Sequence, residues 1–142
     1  MKLFFKTEKE MIGFSKSFFS PLPIGKVFGF CGDMGAGKTT FLKGLALNLG
    51  ISYFTSPTYN IINVYDFVDF KFYHIDLYRL NSLDEFELIG GMEIFLDMSS
   101  IIAIEWPEMI IDVLPRNRLK FLKFKVQDTS RILEFSDEYS FS

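Results

Sequence analysis

One cysteine, Cys31, occurs in 142 residues, so no internal disulfide can form and a reducing compartment is expected. Basic residues are outnumbered, fifteen against eighteen acidic ones, which leaves a net charge of -3 and a pI near 5.2. That balance argues against a protein that grips RNA or DNA by itself, because phosphate backbones are held by clustered lysine and arginine. No apolar run approaches the roughly 20 residues of a membrane span. Nor does a basic stretch followed by an apolar segment open the chain, since Lys6, Glu8, Lys9 and Glu10 interrupt it. The expectation is a cytoplasmic protein without membrane contact. Internal repeats, low-complexity tracts and linkers are also missing, and the length suits a single domain over residues 1–142.

Aromatic side chains, in contrast, are abundant, with eighteen phenylalanines and six tyrosines. A base-stacking surface is the tempting reading. Most of them fall in strand-like or helix-core patterns such as Leu3-Phe4-Phe5 and 121–124, so they are assigned to core filling and carry no functional inference.

Lys2 to Phe5 reads as a first strand. Thr7 and Glu10 have capping-box spacing and open a helix to about Phe19 that Pro21 and Pro23 close. Lys26 to Phe30 is a buried strand, and Lys38 to Leu49 a helix with an apolar stripe ended by Gly50. Ile61 to Phe70 and Lys71 to Ile75 read as two strands joined by a turn around Asp69 to Lys71. Ser82 and Glu85 form a second capping box, for a short helix that Gly90 and Gly91 end. Ile101 to Ile104 is apolar throughout and too short for a helix, so it is expected as a central parallel strand. Arg118 to Val126 and Arg131 to Phe135 resemble a closing hairpin. Together these predict a three-layer α/β fold with a mostly parallel central sheet, antiparallel additions and a C-terminal hairpin.

Between the second strand and the helix after it lies Gly32-Asp33-Met34-Gly35-Ala36-Gly37-Lys38-Thr39, a complete Walker A phosphate loop. Its glycines let backbone N–H groups turn inward around phosphate oxygens, and the helix adds its positive N-terminal end. Lys38 is expected to reach the β- and γ-phosphates and the Thr39 hydroxyl to ligate Mg²⁺. Asp33, a carboxylate beside phosphates, is expected to point outward.

Glu105 closes the apolar run from Ile101 and is delivered to the carboxyl edge of the sheet, where ligands of such sheets bind. It is read as holding Mg²⁺ through water or as orienting an attacking water. In His74-Ile75-Asp76-Leu77-Tyr78-Arg79, alternation puts His74 and Asp76 on one side. Asp76 is a candidate outer metal ligand or general base, His74 reads as a structural histidine, and Arg79 pairs with phosphate or bridges to Asp84 or Glu85. Ser56-Pro57-Thr58-Tyr59 stands where P-loop proteins carry a nucleotide-sensing segment, although Ser-Pro by itself signals a turn.

In this order, the segments 32–40 (GDMGAGKTT), 56–59 (SPTY), 74–80 (HIDLYRL) and 105–108 (EWPE) resemble the TsaE family. These are bacterial P-loop ATPases needed to form the threonylcarbamoyl modification of adenosine 37 in tRNA. The match spans nearly the whole chain, with Met34 in place of the usual leucine and Tyr59 in place of phenylalanine. The resemblance implies the P-loop fold, ATP and Mg²⁺ as cofactors, and nucleotide contacts along Asp33, Met34, Gly35, Ala36, Gly37, Lys38, Thr39 and Thr40. It further implies that Thr58 belongs to a switch-like loop, that Trp106 lies close to the nucleotide, and that Asp76 and Glu105 serve the metal and hydrolysis site. Lys38, Asp76 and Glu105 are thus the expected catalytic residues, and Thr39 and Glu105 the expected metal ligands; which of Asp76 and Glu105 touches the metal stays open. By the same resemblance the partners are the TsaD and TsaB subunits, the ATPase is weak without them, and tRNA is met only indirectly.

Two rival classes share the loop. A small P-loop kinase usually carries an arginine-rich lid, and only Arg79, Arg116, Arg118 and Arg131 occur, unclustered. A regulatory GTPase carries an Asn-Lys-x-Asp guanine-reading segment, and that tetrapeptide is absent.

Overall fold

A five-residue strand with no exposed side chain on either face belongs in the middle of a sheet, and Val27–Cys31 is such a strand. The computed structural model describes residues 2–57 and 60–137. Among them the strands are β1 (Lys2–Phe5), β2 (Val27–Cys31), β3 (Ile62–Asp66), β4 (Lys71–Asp76), β5 (Ser100–Glu105), β6 (Leu119–Gln127) and β7 (Ser130–Ser136). The helices are α1 (Glu8–Phe18), α2 (Lys38–Asn48), α3 (Leu83–Leu88) and α4 (Gly91–Ile94). All strands join one sheet in the order β1-β7-β6-β2-β5-β4-β3. The four central strands β6, β2, β5 and β4 run parallel. Antiparallel pairs finish both flanks: β3 on β4, and the β6–β7 hairpin followed by β1. This is the α/β architecture expected, with its C-terminal hairpin.

Helices cover both faces. Phe28, Phe30, Phe72, Ile101, Ala103 and Phe124 pack beneath α1 and α2 in one core. Val27, Ile75, Ile102, Ile104 and Phe121 face Phe86, Phe95, Ile110 and Leu114 in the other. Each of the four central strands thus feeds both cores by simple alternation. The phenylalanines do what the sequence suggests: among the described ones only Phe4 is exposed. Phe18, Phe19 and Phe41 meet edge to face at 5.0–5.7 Å between ring centroids. Contacts of this kind add about 0.5–1.5 kcal/mol each beyond the apolar area they bury.

Local signals set most boundaries. Thr7 Oγ1 accepts from the Glu10 amide at 3.1 Å, while the Glu10 carboxylate reaches one residue beyond the cap, to the Lys6 amide at 2.9 Å. Ser82 and Glu85 repeat the pattern, with Glu85 accepting from Asn81. Three expectations need correction. β3 ends at Asp66, because the Phe67 amide already bonds to the Phe70 carbonyl and the two rings stack at 4.8 Å; an aromatic clasp makes this turn where no glycine or proline announces it. Gly90 alone ends α3, and Gly91 begins α4. Pro107–Val113, assigned no element from the sequence, forms 3-10 turns on either side of a kink at Ile110.

The crossing of α1 over α2 depends on Gly44. A Cβ there would overlap Ser15 Oγ and lie 2.8 Å from the Lys16 backbone nitrogen. Gly44→Ala should therefore lower stability by about 1–3 kcal/mol through overpacking, despite alanine's better helix propensity of about 1 kcal/mol. Thermal or urea unfolding measures this, and an unchanged midpoint would disprove the close crossing.

Candidate functional site

The parallel register aligns three residues across the carboxyl edge of the sheet: Phe30 opposite Glu105, and Glu105 opposite Asp76. Beyond Phe30 the chain passes into the phosphate loop. Gly32 has φ +135, and a Cβ there would collide with the Phe124 carbonyl, so the loop can leave β2 only through glycine. The loop turns on the Ala36 amide bonding to the Asp33 carbonyl at 3.2 Å. Gly37, in the left-handed region, then opens α2, which has no side-chain cap and no acidic residue in its first turn. The orphan N–H groups and positive dipole end of this helix are left for an anion.

Lys38 begins that helix and is 5% exposed. Its Nζ donates to the Gly32 carbonyl at 2.6 Å and lies 3.8 Å from the centroid of the Trp106 ring. Burial pulls its pKa below the ordinary value, opposed by the charges of Glu105 and Asp76. Trp106 has φ +62, an uncommon conformation for a non-glycine residue. Its amide bonds to the Phe30 carbonyl, and its ring packs on Tyr78 at 5.2 Å.

Thr39 Oγ1 stands 3.0 Å from Ser56 Oγ and 3.3 Å from both carboxylate oxygens of Glu105. Glu105 is 3% exposed, and its Oε2 lies 2.7 Å from His74 Nε2. Asp76 Oδ1 accepts from the Tyr78 amide at 3.0 Å. Burial raises the pKa of Asp76, and the neighbouring Glu105 charge raises it further.

A cavity of about 460 Å³ lies between the two sets. Met34, Gly35, Gly37, Lys38, Thr39 and Thr40 line one wall, and Ser56, Asp76, Glu105 and Trp106 the other. The structure thus brings together most of the residues picked from the sequence. Asp33 is exposed and stands off the cavity wall, as its charge suggests, and the buried Ala36 side chain supports the loop from below. Thr58, together with Tyr59, lies outside the described residues. Two site residues escaped the sequence reading. Ser56, read as part of a turn, reaches Thr39, and His74, read as structural, reaches Glu105. For His74 the signal was present, since alternation already put it on the side of Asp76, on the strand beside Glu105.

The donors that converge are oxygens: the hydroxyls of Thr39 and Ser56 and the carboxylates of Asp76 and Glu105. Among the described residues no cluster of three or more His, Cys, Asp or Glu side chains could hold a metal unaided. Magnesium does not need one, because it is commonly bound by one or two side-chain oxygens plus waters and phosphates. Thr39 and Glu105 suit such an ion, while His74 Nε2 is already engaged by the carboxylate. Three carboxylates on the cavity wall, Asp76, Glu85 and Glu105, outnumber the cations Lys38 and Arg79, so phosphates entering it would call for a further cation.

The raised pKa of Asp76 has a thermodynamic sign. Folded protein holds this proton to higher pH than unfolded protein, so stability from Asp76 is lost as pH rises through the window above the ordinary carboxylate value of about 3.9. Asp76→Asn keeps the acceptor for Tyr78 and removes the titration. Its melting temperature should gain on that of the unsubstituted protein as pH goes from about 4 to about 7. A constant difference across that range would contradict the assignment.

Known proteins resemble this chain in sequence and in fold. Residues 5–133 match the family model described as threonylcarbamoyl adenosine biosynthesis protein TsaE. The tRNA threonylcarbamoyladenosine biosynthesis protein TsaE of Borreliella burgdorferi is 67% identical over 136 residues, covering 96% of this chain and 99% of that one. The protein of the same name from Rickettsia bellii is 33% identical over 140 residues, covering 94% and 92%. Among solved structures, that of YdiB from Bacillus subtilis superposes with a TM-score of 0.72 at 31% identity, covering 95% of this chain and 83% of that one. The chain belongs to the TsaE family, the proteins of tRNA threonylcarbamoyladenosine biosynthesis.

Proposed function

We propose that the protein is a Mg²⁺-dependent ATPase subunit, required for threonylcarbamoyl modification of adenosine 37 in tRNA, that acts with the TsaB–TsaD pair in the cytoplasm. It is not itself the transferase. The observation that carries this reading is the convergence of Lys38 and Thr39, at the uncapped start of α2, on Glu105, 3.3 Å from the Thr39 hydroxyl. The amides of 35–40 hold the phosphate groups, and Lys38 leaves the Gly32 carbonyl for the β- and γ-phosphates. Thr39 and Glu105 would hold Mg²⁺, which would supply positive charge against the charge that builds on the phosphates during cleavage. Asp76 stands one strand further out, and its raised pKa suits it to accept a proton from the attacking water. The Trp106 ring lies over the Lys38 ammonium at 3.8 Å, a cation–π contact that helps hold the lysine at the cavity.

The acidic surface charge fits a subunit that leaves tRNA contact to its partners. Arg79 is the only arginine on the cavity wall among the described residues, which disfavours a kinase with an arginine lid. The missing Asn-Lys-x-Asp segment favours adenine over guanine.

The test is release of inorganic phosphate from ATP by the purified chain, alone and with TsaB and TsaD. Expected are slow hydrolysis alone, strong stimulation by the pair, dependence on Mg²⁺, and a loss of about 100-fold or more in Lys38→Ala and Glu105→Gln, the scale on which such groups act. Fast hydrolysis indifferent to the pair, or full activity in Lys38→Ala, would overturn the proposal.

A further inference from the structure

His74 is wholly buried, with 0% exposure, and has a single hydrogen-bond partner among the described residues. Its Nε2 meets Glu105 Oε2 at 2.7 Å, and since a carboxylate only accepts, the imidazole donates. The other ring nitrogen, Nδ1, has no hydrogen-bond partner among the described residues. The ring lies against aromatic neighbours, stacked on Phe54 at 5.2 Å and on Phe72 at 6.4 Å. A phenylalanine would fill this stack without stranding a polar nitrogen. What histidine adds is the bond to Glu105.

The stack reaches a second part of the site. Phe54 begins the segment that carries Ser56, and Ser56 Oγ stands 3.0 Å from Thr39 Oγ1. One short stretch of chain therefore touches the site twice, through His74 to Glu105 and through Ser56 to Thr39.

Building on the ATPase reading, we infer that His74 is a positioning residue that fixes the Glu105 carboxylate against Thr39 and couples it to the 54–57 segment. It does not touch the nucleotide. A carboxylate held by one short bond from a ring that cannot turn in its stack faces the cation in one orientation. Freed of that bond, Glu105 keeps its charge and loses its aim.

Two substitutions separate the bond from the packing. His74→Phe keeps the stack and removes the donor, whereas His74→Gln restores an N–H near the position of Nε2. Trp106, the only tryptophan, sits beside Lys38 and supplies the signal: its emission is followed while Mg²⁺ is added to protein saturated with ADP. Melting temperatures are recorded in parallel. The inference expects ADP binding without Mg²⁺ to match in all three proteins. The Mg²⁺ concentration at half-response should rise about 10- to 100-fold in His74→Phe, the range found when the partner of a metal ligand is removed. His74→Gln should recover most of that loss. In the complex with TsaB and TsaD, kcat should fall in His74→Phe with KM for ATP little changed. A His74→Phe protein that titrates like the original, or a His74→Gln protein no better than His74→Phe, would overturn the inference. So would losses that simply track melting temperature. If the unsubstituted protein gave no Mg²⁺-dependent response at all, the nucleotide-site reading itself would fail, an outcome distinct from these.

Discussion

The parallel pairing of β5 between β2 and β4 is the constraint on which the rest depends. It sets Phe30, Glu105 and Asp76 in one row at the carboxyl edge, from which the phosphate loop departs. Trp106 is tied to the Phe30 carbonyl and Leu77 to the Glu105 carbonyl, so the row continues one residue past the strands on both sides of β5. A slip of one residue in β5 would turn Glu105 toward the opposite core and put Ile104 under Thr39. The apolar residues Ile101–Ile104 are shared between the two cores, and that sharing holds the register.

The site is costly for the fold that carries it. A lysine and a glutamate are almost fully buried, a histidine nitrogen has no hydrogen-bond partner among the described residues, and a tryptophan takes a left-handed backbone conformation. An unsatisfied buried polar atom costs about 1–3 kcal/mol, and a non-glycine residue in left-handed conformation about 1–2 kcal/mol. The aromatic core beneath α1 and α2 offsets this, since each fully buried phenylalanine contributes about 1.5–3 kcal/mol. Such strain is tolerated where the surrounding packing over-determines the geometry, and here it gathers at one edge of the sheet.

Much of this was legible from residues alone. The strand–loop–helix around Lys38 follows from glycine spacing and an apolar run, and Glu105 from its place at the end of a short apolar segment. Both capping boxes announced their helices. The misses have physical causes. Phe67 to Phe70 closes its turn by ring stacking, a tertiary contact that leaves no glycine or proline in the sequence. The 3-10 turns within Pro107–Val113, broken at Ile110, are too short for a periodic signature. Ser56 lies far along the chain from Thr39, and only the folded sheet brings the two hydroxyls together. His74 looked structural because a lone histidine usually is; its pairing with Glu105 became visible once β4 and β5 were in register.

On the function proposed above, the start of α2 and the end of β5 form one site for a nucleotide and its metal. Calorimetric titration of the purified chain with ATP, with and without Mg²⁺, tests it most directly. One-to-one binding that Mg²⁺ tightens, and that Lys38→Ala abolishes, is the predicted result. Binding that is indifferent to both Mg²⁺ and Lys38, or no binding at all, would contradict it.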